Sequence, residues 1–270
     1  MNITFIGGGN MASAMIGGLL QQGWNAGAIR AIEVAPEARE RLTREFKIAT
    51  APAVSAESAA ADCVVLAVKP QQMREVARLL RPHLSAQLVI SIAAGIRVVD
   101  LARWLGGYSK LVRVMPNTPA LVRAGISGLY APAAVAEADR ARAEEIMSAV
   151  GATLWLETEK QIDAITAISG SGPAYVFYFI EALQRAAADL GFDAAAARRL
   201  ALQTFAGSVQ LAMQGEEEVA VLRARVTSKG GTTERAIAAM DADRLPAIVV
   251  RAARAAAERS RELGDELGKD

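Results

Sequence analysis

The chain has 270 residues, 52% of them hydrophobic, which is enough material for two domains with separate cores. Its 30 Lys and Arg nearly cancel 29 Asp and Glu, so the overall field gives no basis for a nucleic-acid partner or an anionic membrane surface. Cys63 is the only cysteine, which excludes an intrachain disulfide and a cysteine-based metal cluster; with no basic, apolar leader ahead of the first strand, the expectation is a cytoplasmic protein.

From residue 1 to 157 short apolar runs alternate with helical stretches, the pattern of a parallel sheet covered by helices. Strands are expected at Ile3–Ile6, Ile29–Glu33, Cys63–Val68, Leu88–Ile92 and Leu111–Met115, with further candidates at Ser127–Tyr130 and Thr153–Leu156. Helices are expected at Met11–Gln21, Pro36–Phe46, Gln71–Leu80, Val98–Leu105 and Glu137–Val150. From 158 to 270 the strand signals vanish and alanine-rich segments take over. Glycines and Pro246 divide them into Asp163–Ile168, Ala174–Leu190, Asp193–Gln214, Val219–Ala224, Thr233–Met240 and Leu245–Leu267. Alanine-rich helices with apolar seams make good subunit interfaces, so an oligomer is expected. The uncharged stretch from Ala164 to Ile180 is interrupted by Ser169-Gly170-Ser171-Gly172-Pro173 and falls short of a membrane span.

The chemistry is expected at the carboxyl ends of the strands. After the first strand, Gly7, Gly8 and Gly9 turn into Asn10-Met11-Ala12: glycine permits the turn and close backbone approach, and the helix N-terminus favours a pyrophosphate. Glu33 ends the second strand, where a carboxylate accepts from both ribose hydroxyls, the reading that favours NAD; the alternative is a solvated strand end, and Arg39 and Arg41 are close enough to reach a 2′-phosphate. Ala67-Val68-Lys69-Pro70 follows the third strand, with Lys69 either at the cofactor or simply on the surface. The small residues Ala93-Ala94-Gly95 after the fourth suit a flat nicotinamide, and Asn117, between two prolines after the fifth, can orient a carboxamide. In the helical half, Ser169–Tyr175 and Thr227–Thr233 both place hydroxyls and glycines before a helix, as cradles for a substrate carboxylate; plain capping is the other reading.

His83 is the only histidine and is expected at an exposed tip, and no residue spacing suggests a metal site. A hydride acceptor here must need little acid–base help. A protonated C=N bond meets that condition, because the iminium is already electrophilic.

Five motifs, Phe5-Ile6-Gly7-Gly8-Gly9-Asn10-Met11, Ala67-Val68-Lys69-Pro70, Val114–Pro119, Ser169–Tyr175 and Val226–Thr233, occur in an order and at separations that resemble pyrroline-5-carboxylate reductase over essentially the full length. The resemblance implies NAD(P)H-dependent reduction of 1-pyrroline-5-carboxylate to L-proline. It implies a Rossmann domain followed by an all-α dimerisation domain interleaved with its partner, and decamers built from dimers in many members. It carries cofactor contacts onto Gly7, Gly8, Gly9, Asn10, Met11, Ala67, Val68, Lys69, Pro70, Ala93, Ala94, Gly95 and Asn117, beside Glu33. A cradle for the substrate carboxylate falls on Ser228, Gly230, Gly231, Thr232 and Thr233, and Glu216, next to Glu217 and Glu218, is matched to an acidic position near the ring nitrogen. Ser171, Glu216 and Thr233 are thus the expected catalytic positions. Two residues depart from the family pattern: Lys229 stands where proline is most common, and Glu33 stands where NADPH-preferring relatives tend to carry a neutral or basic residue.

Overall fold

The computed structural model describes residues 1–269, which form two compact units. The first comprises Met1–Ser171 together with the stretch from Ala256 onward. Its sheet has eight strands: β1 (Ile3–Ile6), β2 (Ile29–Ile32), β3 (Ala49–Ala51), β4 (Cys63–Leu66), β5 (Leu88–Ser91), β6 (Leu111–Met115), β7 (Gly125–Tyr130) and β8 (Gly151–Trp155). They lie in the order β3-β2-β1-β4-β5-β6-β7-β8. Strands β1, β4 and β5 are buried on both faces, which is why they read as unbroken apolar runs and not as alternating ones.

Side-chain alternation sorts the core into two layers. Ile3, Phe5, Cys63, Val65, Leu88 and Ile90 face Met15, Ile16 and Leu19 of α1 (Asn10–Gln21), Leu42 of α2 (Pro36–Phe46), and Ile146 and Met147 of α5 (Glu137–Ser148). Ile6, Val64, Leu66 and Val89 face Met73, Ala77 and Leu80 of α3 (Met73–Leu80) and Leu101 and Trp104 of α4 (Val98–Trp104). Each fully buried Leu, Ile or Phe contributes about 1.5–3 kcal/mol, so the two layers lock the strand register. The order reverses between β1 and β4, which opens a crevice at their carboxyl ends.

Three features differ from the sequence expectation. The short, half-exposed edge strand β3 was not expected; it pairs with β2 through Arg30, Ala31 and Ile32. Strand β7 runs antiparallel to β6, because the segment joining them holds only a single-turn helix, Thr118–Val122, far shorter than a parallel crossover needs. Strand β8 is again parallel to β7, reached through α5. Strand β2 stops at Ile32, leaving Glu33 beyond the ladder, and β4 and β5 also end earlier than expected, at Leu66 and Ser91.

Composition places a boundary at 157/158, whereas packing keeps α6 (Gln161–Ile165) and the π-helical turn Thr166–Gly170 with the first unit. The second unit, Gly172–Ala255, contains α7 (Gly172–Asp189), α8 (Ala194–Gln214), α9 (Val219–Arg225), α10 (Thr232–Ala242) and the first part of α11 (Leu245–Leu267). Asp193 caps α8 by accepting the Ala196 N–H at 2.8 Å. Within the described residues no helix is long and apolar enough to cross a membrane.

Candidate dinucleotide site and substrate loop

The crevice is built on the turn after β1. Gly7 has φ +101°, and a Cβ there would stand 2.6 Å from the Ala67 carbonyl oxygen, so the close approach of β1 and β4 requires glycine. The Gly7 N–H donates to the Ile32 carbonyl at 2.8 Å, tying the turn to β2. Gly9 caps α1 with no side-chain hydrogen bond, and a Cβ there would meet nothing within 4 Å. The helix therefore presents its first N–H groups to open space, as an incoming pyrophosphate needs. Asn10 is exposed at the helix start, while Met11 packs against the core below.

Glu33 is drawn inward. Its Oε2 accepts the Gly8 N–H at 2.8 Å and its Oε1 the Ala35 N–H at 3.0 Å, so the carboxylate bridges the glycine turn and the start of α2. Arg39 donates to the Glu33 and Val34 carbonyls, both at 2.8 Å, and Arg41 to the Gly8 carbonyl at 2.9 Å. A cleft of about 340 Å³ opens here, lined by Gly7, Gly8, Gly9, Glu33, Ala67, Val68 and Lys69. Sequence reasoning missed its far wall: Pro52, Ala53 and Val54 after β3, and Gln72, Glu75, Val76 and Leu79 around α3. The only signal for that wall was the position of α3 directly after Pro70, which opens a single turn, Pro70–Gln72, ahead of it.

Beyond β5, Ala93 and Gly95 are buried and Ala94 half-buried, and Gly95 has φ +74°. The end of α11 supports this loop, a contact with no sequence signal. Arg97 pairs with Asp265 at 2.7 Å, Arg103 donates to the Gly268 carbonyl at 2.6 Å, and Ser260 donates to Asp163 at 2.7 Å. Asn117 is buried, and its amide is largely committed: Oδ1 accepts the Ile126 N–H at 3.0 Å and Nδ2 donates to the Ser169 carbonyl at 3.1 Å. That places it as a clamp between β7 and the π-helical turn, with one N–H left for a ligand.

Ser169–Tyr175 is a different object from the open cradle expected. It lies inside a helical run, where the Ser171 N–H donates to the Thr166 carbonyl at 2.8 Å and the Ser169 hydroxyl to the Ile165 carbonyl at 3.1 Å. A π-turn of this kind inserts one residue into the helix and often marks a functional position. His83 is half-buried and not at an exposed tip; it precedes β5, at the end of the sheet away from the crevice. Cys63 is fully buried, and burial pushes its thiol well above the ordinary range, with Asp139 adding to the effect.

In the second unit, Thr227–Thr233 keeps the expected form. Gly231 caps α10 with extended backbone and no side-chain bond, one residue earlier than expected. Gly230, at φ +74°, gives its N–H to Glu234 at 2.7 Å, and the Gly231 N–H goes to the Ser228 carbonyl at 3.0 Å. The free donors are thus the first N–H groups of α10 and the hydroxyls of Ser228, Thr232 and Thr233. Glu216 is exposed between α8 and α9, whereas its neighbour Glu217 is paired with Arg225.

A protein from Pseudomonas aeruginosa called pyrroline-5-carboxylate reductase is 49% identical over 268 residues, 99% of this chain and 98% of its own length. The chain belongs to the pyrroline-5-carboxylate reductase family. A family profile described as pyrroline-5-carboxylate reductase dimerisation matches residues 159–263, and one described as coenzyme F420-dependent NADP oxidoreductase matches residues 2–95. Among solved structures, the pyrroline-5-carboxylate reductase of Coxiella burnetii superposes with a TM-score of 0.92 at 42% identity, covering 97% of this chain and 98% of that one. The Plasmodium falciparum pyrroline carboxylate reductase, solved with NADP bound, gives 0.86 at 30% identity, covering 98% of each chain.

Proposed function

We propose that this chain reduces 1-pyrroline-5-carboxylate to L-proline with NAD(P)H, working as a cytoplasmic self-associating enzyme. The single observation that carries the reading is the uncapped start of α1 behind the Gly7 turn, in a chain whose relatives share its whole length. When bound, the dinucleotide supplies the hydride. The chain's own residues position: Gly9 and the α1 N–H groups hold the pyrophosphate, and Glu33 stands at the ribose corner. Ala93, Ala94 and Gly95 leave a flat surface for the ring, and Lys69 lends a positive charge to the cleft.

The α10 start is the proposed seat of the substrate carboxylate, through Thr232, Thr233 and Ser228, with Gly230 and Gly231 shaping the turn. Glu216, an acidic group near the protonated ring nitrogen, and Ser171, at the π-turn, are the proposed further contacts to substrate. An iminium carbon needs no obligatory general acid, which agrees with a chain whose one histidine lies away from the crevice.

Self-association through the second unit fits its surface. Phe177, Tyr178, Leu190 and Met213 are 60%, 73%, 80% and 82% exposed, an amount of apolar area that a second copy would cover. A dimer, and a decamer assembled from dimers, is the proposed arrangement, to be read by sedimentation. Turnover is tested by loss of nicotinamide absorbance when pyrroline-5-carboxylate is added. No turnover with either NADH or NADPH would defeat the reading. Thr233→Ala should raise the KM for substrate far more than that for the nucleotide, and an equal loss would remove Thr233 from the carboxylate site.

A further inference from the structure

The corner of the crevice around Glu33 has a charge pattern that the family assignment does not explain. In a dinucleotide fold the residue at the end of the second strand meets the adenosine ribose. Here that residue is a carboxylate fixed in place by two backbone N–H groups, from Gly8 and Ala35, at 2.8 Å and 3.0 Å. A carboxylate offers about four acceptor positions, so two remain, matching the two hydroxyl donors of an unmodified ribose. A 2′-phosphate replaces one of those donors with close to two negative charges and acceptor oxygens only.

The surroundings do not offset that repulsion. Val34, 76% exposed, and Ala35 supply no donor side chain, and a second carboxylate, Glu75, lines the same cleft. Among the described residues, Lys69 and Gln72 are the cleft's other polar side chains, and Lys69 is the one cation lining it. Arg39 and Arg41 flank Glu33, but each guanidinium is turned onto backbone carbonyls, and neither lines the cleft.

We propose that this chain selects NADH over NADPH, and that Glu33 makes the selection: held on the Gly8 and Ala35 N–H groups, it receives the ribose hydroxyls and repels a 2′-phosphate. The proposal rests on the dinucleotide reading of the crevice and not on the identity of the imine.

The test is calorimetric titration of the full-length protein with NADH and with NADPH, without substrate. NADH should bind at least about tenfold more tightly, and Glu33→Ser should shrink that ratio below about threefold by improving NADPH binding. Arg39→Gln should leave the ratio unchanged. Equal or tighter binding of NADPH by the unaltered protein overturns the proposal, whatever the fate of the variants. Selective loss of NADPH binding in Arg39→Gln overturns it too, since Arg39 would then be the 2′-phosphate partner. Binding of neither nucleotide removes both this proposal and the cofactor reading. NADH-selective binding without pyrroline-5-carboxylate turnover leaves the proposal standing and defeats only the reaction.

Discussion

Leu267 of α11 lies directly beneath Gly95 of the loop after β5: a Cβ at Gly95 would stand 2.8 Å from the Leu267 Cδ1. The end of α11 thereby props the small-residue loop expected to face the nicotinamide. Leu267→Ala, at a half-buried position, should lower stability by about 1–2 kcal/mol and raise the KM for the nucleotide several-fold, while kcat at saturation changes little. Thermal unfolding and steady-state kinetics with nucleotide as the varied ligand read the two effects. A fall in kcat with unchanged KM would mean that the prop does not act through the loop.

Asp100, on α4 beside the same junction, gives a pH signature. Burial holds its carboxyl above the ordinary range, against the pull of Arg103 at 3.1 Å. The native state therefore keeps the proton more tightly than the unfolded chain. The group's contribution is fully favourable below the unfolded pKa of about 3.9 and is lost as pH rises through the higher native value. Asp100→Asn should thus be neutral or stabilising at pH 7, and its advantage should shrink as pH falls toward 4, measured by urea unfolding across that range.

Gly7→Ala and Gly9→Ala should separate folding from ligand binding on one turn. At Gly7 the added Cβ meets the Ala67 carbonyl in a left-handed backbone conformation, so the fold itself should lose about 1–3 kcal/mol. At Gly9 the added Cβ meets nothing, so stability should hold while nucleotide affinity falls, because the methyl would stand in the proposed phosphate cradle. Melting temperature and calorimetric affinity, measured on both variants, test the split.

Arg113 is nearly buried on β6 and pairs with Glu159 at 2.8 Å, and Glu159 also accepts the Val98 N–H at 2.7 Å. Glu159→Gln keeps the shape but leaves the guanidinium without a counter-charge, so a loss of about 3 kcal/mol is expected. Arg113→Met with Glu159→Gln should recover part of it. Denaturant unfolding of both variants measures the loss and the recovery.

The parts of the site legible in the sequence were those whose physics is local. Gly7, Gly8 and Gly9 act through backbone geometry within a few residues, and the fully buried strands announce themselves as apolar runs. What stayed hidden depends on long-range packing. The three residues of β3 are too few to carry a period, and the antiparallel turn of β7 depends on the length of its connection. Asn117 read as a ligand donor, yet its amide finds Ile126 and Ser169, partners that a linear reading cannot supply. Ser169–Tyr175 read as a loop because glycine and serine are poor in helices, but packing against Met115, close enough that a Cβ at Gly170 would meet its methyl at 2.8 Å, holds the segment in a π-turn.

The path of α11, which starts in one compact unit and ends in the other, makes the second unit an insertion within the first. Residues 172–255 must all be synthesised before Leu263 and Leu267 can reach the Gly95 loop. During translation the first unit thus emerges early but stays unfinished, without the Leu263 and Leu267 contacts to the Gly95 loop, until the helical unit has been made.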